Sequence, residues 1–112
     1  IILWKGAITR LAVDALVNSS NEPLTDSSGV AGEILREAGP ELAAEVARLD
    51  GCRTGEAKIT KAYNLPARHV LHTVGPRFNL RYKTAAENAL HNCYRACLQL
   101  AVEHRLASLA LP

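Results

Sequence analysis

Residues 13–32 read Val-Asp-Ala-Leu-Val-Asn-Ser-Ser-Asn-Glu-Pro-Leu-Thr-Asp-Ser-Ser-Gly-Val-Ala-Gly. An apolar strand, Val13 to Asn18, runs into a polar loop, and the loop opens a helix through small residues. The strand is almost wholly apolar, which suits a strand covered on both faces. Such a loop brings a ligand close to backbone N–H groups. A helix N-terminus adds about half a positive charge and four unpaired donors, which together make an anion or phosphate cradle. Open α/β sheets place their ligands in this position, beyond the carboxyl end of a strand.

Strands and helices alternate outward from this stretch. Ile1 to Lys5 reads as a strand ended by Gly6, and Ile8 to Leu11 leads into the next. Val30 to Glu37 is expected as the first helix, with Ser28 as a candidate N-cap. Gly39 stops it and Pro40 opens a second, in which Leu42, Val46 and Leu49 keep the spacing of an apolar face. Glu56 to Tyr63 and His69 to Val74 read as strands, separated by the loop at Asn64-Leu65-Pro66. Thr84-Ala85-Ala86-Glu87 has the form of a capping box. The helix it opens runs to about Arg105, with Ala86, Leu90, Cys93, Cys97, Leu100 and Ala101 on one face. Ala107 to Leu111 begins another strand. The alternation predicts a layered α/β domain.

The totals narrow the function. With 112 residues there is room for one domain, and 48% hydrophobic residues can supply its core. Thirteen basic against eleven acidic residues leave a net charge of +2, too balanced to call for nucleic acid by itself. No apolar run approaches the roughly 20 residues of a membrane helix, so this segment is expected to make no membrane contact. The three cysteines form no disulfide framework, which points to a reducing, cytoplasmic or nuclear setting. Buried structural thiols are the expected reading of the three cysteines; Arg53 beside Cys52 is the one feature that would lower a thiol's pKa, with no histidine near in sequence. The residues call for no cofactor and complete no metal set, and no catalytic pair is assigned. Both ends fall inside apolar runs and the chain has no methionine. We therefore read residues 1–112 as a single domain truncated at both ends.

Four ordered motifs resemble the macrodomain family. They are Gly6-Ala7-Ile8-Thr9 with Val13 to Asn21; Gly29-Val30-Ala31-Gly32 with Ala38-Gly39-Pro40; Cys52 to Ala57; and His72-Thr73-Val74-Gly75-Pro76. Asn18 to Asp26 and Gly51 to Thr54 look most like the subfamily of ganglioside-induced differentiation-associated proteins. The resemblance implies a three-layer α/β/α fold with a mixed, mostly parallel sheet, whose C-terminal part is missing here. It implies a cleft for ADP-ribose, free or on a protein, against Ala7, Ile8, Asn18, Asn21, Ser28, Gly29, Val30 and Ala31. Some members hydrolyse ADP-ribose from acidic side chains and some bind poly(A).

Two departures shape the expected function. The family's usual acid after the first glycine, which accepts from the adenine amino group, is Ala7 here. Losing that charge-assisted bond costs about 1.5–3 kcal/mol. The aspartate of the hydrolytic members' Gly-Val-Asp-Gly is Ala31, and alanine cannot orient a water. The expected function is an ADP-ribose reader without efficient hydrolysis. The alternatives are a mono-ADP-ribosyl hydrolase and an RNA or protein interaction module with a degenerate pocket. For RNA the candidate patch is Arg68, Arg77, Arg81 and Lys83 with Phe78 and Tyr82. His72, among apolar neighbours, reads as a packed histidine rather than a base.

Overall fold

The computed structural model describes residues 6–76 and 83–112, Lys83 by its backbone alone. The strand expected at Ile1 to Lys5 lies outside them, as do Arg77, Phe78, Arg81 and Tyr82 of the basic aromatic patch.

Strand β1 (Ala15–Ser19) is the organising element. Its side chains alternate between two buried faces, as its apolar run requires. Leu16 joins a core built with helices α1 (Gly29–Ala38) and α2 (Pro40–Arg48), where Ile34, Leu42, Val46 and Val70 meet. Ala15 and Val17 face the other way, clustering with Leu71 of the neighbouring strand and with Cys97, which lies on the long helix α3 (Lys83–Glu103). Helices therefore cover both faces of the sheet, and the fold is three-layered α/β/α.

Among the described residues the sheet has four strands in the order β2-β3-β1-β4. Here β2 is Ala57–Lys61, β3 is His69–Thr73 and β4 is Leu109–Ala110. β1 runs parallel to β3 and to β4, whereas β2 and β3 are antiparallel. The expected mixed, mostly parallel sheet is what forms. The short link between β2 and β3 sets their antiparallel pairing, because a parallel pair needs a long crossover. Asp14 ties the parallel edge together: its Oδ2 accepts the Ala107 N–H at 2.6 Å, and its own N–H donates to Ser108 Oγ at 2.9 Å.

Several local expectations shift. Residues Ile8–Arg10, which lead toward β1, close a 3-10 turn. Thr84 falls inside the first turn of α3, which begins at Lys83. Leu90 is 47% exposed. It stands at the flank of the α3 apolar face, one turn before the exposed Tyr94, so the sheet does not reach it. β4 is two residues long, not the five expected from Ala107 to Leu111.

Candidate functional site

The loop beyond β1 is built from its own polar side chains. Asn21 Oδ1 accepts the N–H of Thr25 at 2.8 Å and of Asp26 at 3.2 Å, and Asn21 Nδ2 donates to Thr25 Oγ1 at 3.3 Å. This is the local capping that asparagine favours in turns. Asp26 Oδ1 then accepts from Ser28 twice, from its N–H at 2.9 Å and its hydroxyl at 2.6 Å. The Ser28 hydroxyl is thereby turned away from α1 and caps no N–H of the helix. Asn21→Ala removes the acceptor for two N–H groups. It is expected to cost about 1 kcal/mol of stability, by analogy with a lost cap, in a urea melt.

α1 then starts at Gly29, whose φ of +52° is a left-handed conformation that suits glycine. Apart from its chain neighbours and the helix's own backbone, no atom of the described residues lies within 4 Å of where a Cβ would stand there. Ser28, Gly29 and Val30 are exposed, while Ala31 is only 3% exposed and packs inward. The 3-10 turn joins this end of the molecule through Thr9, whose hydroxyl donates to Glu33 Oε1 of α1 at 3.2 Å. Ala7 and Ile8, both half-buried, are held by that turn. Of the eight expected ligand residues, Ser28, Gly29 and Val30 form the exposed start of α1, Asn21 is linked to it through Asp26, and Ala7 and Ile8 belong to the turn that bonds α1 at Glu33.

Asn18 lies elsewhere. It is 3% exposed, and its Nδ2 donates to His72 Nδ1 at 3.2 Å across the β1–β3 register. His72 Nε2 meets Thr60 Oγ1 at 2.9 Å. Burial pushes the His72 pKa down to about 4, against a smaller opposing pull from Glu45. The ring is neutral at pH 7. Because Asn18 donates to Nδ1, the proton sits on Nε2 and is given to Thr60, a tautomer assigned from the partners. Asn18 Oδ1 is buried with no partner among the described residues. Sequence reading treated Asn18 and His72 separately; their pairing rests on strand register, which no local pattern carries.

The expectation of buried structural thiols is met, and Cys52 shows no lowered pKa. Burial raises the Cys52 pKa, and it outweighs the attraction of Lys58. Arg53 is not among the causes, so sequence adjacency did not bring its charge to bear. Burial also pushes Cys97 up to about 11. All three thiols are free and buried, which suits packing rather than chemistry. Among the described residues no group of three or more His, Cys, Asp or Glu is placed to hold a metal ion. An open cavity of about 780 Å³ lies beside the loop, walled by Glu22, Thr25, Val46, Cys52, Arg53 and Lys58. None of the eight expected ligand residues lines it, so its size does not make it the nucleotide cleft.

The Macro domain family model matches residues 17–112, a span that begins within β1 and carries its loop and the whole of α1. The chain belongs to the Macro domain family. It is 55% identical over 108 residues to ganglioside-induced differentiation-associated protein 2 of Xenopus tropicalis, covering 96% of this chain and 22% of that protein. The chain thus spans about a fifth of the length of the curated relatives it matches. The crystal structure of the ganglioside-induced differentiation-associated protein 2 macro domain superposes with a TM-score of 0.96 at 51% identity. That match covers 98% of this chain and 55% of that one. A variant of the Oceanobacillus iheyensis macrodomain, solved with ADPR, matches with a TM-score of 0.89 at 36% identity, over 96% of this chain and 61% of that one.

Proposed function

We propose that this macrodomain binds ADP-ribose, free or attached to a protein, and does not hydrolyse it efficiently. The observation that carries the reading is the exposed start of α1, Ser28 to Val30, with no remote atom of the described residues within 4 Å of a Cβ position at Gly29. A related macrodomain of the same fold holds ADPR. An N-terminus of this kind offers unpaired N–H groups to a pyrophosphate. Two features argue against efficient hydrolysis. Ala31 supplies no ionisable group at the position of the hydrolytic members' aspartate, and it is buried. His72, with both ring nitrogens engaged by Asn18 and Thr60, is not free to act as a base.

The test is calorimetric titration of ADP-ribose into the complete natural protein, beside an assay for release of ADP-ribose from modified carboxylates. Micromolar binding, on the order of −8 kcal/mol, with release at the background rate is the expected result. Release well above background would return the hydrolase reading. A well-folded sample that gives no heat would remove the reader reading.

A further inference from the structure

We propose that Asp26 is an internal competitor for the ligand's phosphate, holding donors at the entrance of α1 with its own carboxylate and so setting the affinity of the site. The inference rests on the ADP-ribose reading above and concerns how that same site is regulated.

Both hydrogens that Ser28 presents before the helix, its N–H and its hydroxyl, go to one oxygen of Asp26. A phosphate arriving at this helix start seeks donors of the same kind, and it carries charge of the same sign as the group already there. The other acids nearby are committed elsewhere. Glu22 Oε2 accepts the Thr54 N–H at 3.2 Å, Glu33 accepts from Thr9, and the first turn of α1 contains no acid. Asp26 is therefore the carboxylate bonded to the residue that precedes α1. Its position is set from behind, because Asn21 Oδ1 grips the Asp26 N–H. The Ser28 hydroxyl first, and the Ser28 N–H second, hold the Asp26 carboxyl below its ordinary pKa, so the group is charged at neutral pH. Among the described residues no remote atom lies within 4 Å of a Cβ position at Gly29, so charge and donors already spent limit the entrance on this side. For a pyrophosphate to take the Ser28 N–H, the carboxylate must swing away to solvent, and only side-chain rotation is needed.

Two substitutions in the complete natural protein separate the effects. Asp26→Asn keeps an acceptor oxygen for Ser28 and removes the charge. Asp26→Ala removes both. ADP-ribose affinity is expected to rise about threefold in the first and about tenfold in the second, on the order of 1.4 kcal/mol. Affinity for adenosine, which has no phosphate, is expected to stay unchanged. Equal or weaker ADP-ribose binding by both variants, with unchanged melting, overturns the proposal and leaves Asp26 as a loop cap. An equal gain for adenosine also overturns it, because the loop would then have loosened without any role for charge. If Asp26→Ala fails to fold, Asp26→Asn alone decides. Absence of ADP-ribose binding in the parent and both variants removes the reader reading and this proposal with it. Binding by the parent without a gain in the variants removes this proposal alone.

Discussion

Gly32→Ala is expected to destabilise the protein by about 3 kcal/mol, although alanine is the better helix former by about 1 kcal/mol. Gly32 lies in the first turns of α1 and is buried. A Cβ built there falls well inside contact distance of the Ser27 carbonyl oxygen and carbon. Those are backbone atoms, so no rotamer change relieves the clash. Either α1 or the loop before it must move. That loop carries Ser28 and Gly29, so ADP-ribose affinity is expected to fall together with stability. Urea denaturation of the variant beside the parent protein checks the first point, and calorimetry checks the second. A gain of about 1 kcal/mol, as helix propensity alone demands, would show that the loop does not press on the helix at this point.

Acid is expected to weaken the fold through His72, between about pH 6.5 and pH 4. The native ring is neutral because burial holds its pKa down to about 4, from 6.5. The unfolded chain protonates this histidine below about pH 6.5, and the native state does not. Stability is therefore complete above pH 6.5 and falls as the pH drops toward 4, at no more than about 1.4 kcal/mol per pH unit. The full loss from this one group is about 3 kcal/mol. His72 is 1% exposed and bonded on both sides, so protonation also breaks the acceptor that Nδ1 offers to Asn18. Urea midpoints measured from pH 7.5 to pH 4 give the slope. His72→Gln is expected to be less stable at pH 7 but to lose this part of the pH dependence. A variant with the same slope as the parent would place the acid sensitivity on other groups.

Much of the architecture was legible from local pattern. The apolar run of β1 required cover on both faces, and helices supply it. Gly39-Pro40 marked the break between α1 and α2, where Gly39 takes a φ of +92°. The loop rich in Asn, Asp and Ser marked the polar turn between β1 and α1, and its motifs pointed to the Macro domain family. These features depend on residues close in sequence, or on a burial period that repeats along one element.

What depended on remote segments, or on the three-dimensional placement of side chains, was not legible. Asn18 and His72 stand 54 positions apart, and the parallel register of β1 and β3 makes them partners. Arg53 is the covalent neighbour of Cys52, but burial governs the thiol. Leu90 has the helical phase of a core residue yet stands exposed at the flank of α3. The need for glycine at 32 comes from the approach of the Ser27 backbone, and the engagement of Ser28 comes from the rotamer of Asp26. The sequence by itself determined the order of the elements, their buried faces and the family. Tertiary structure alone decided which donors are already spent and which charges are desolvated, because both depend on distances between groups that the chain order does not specify.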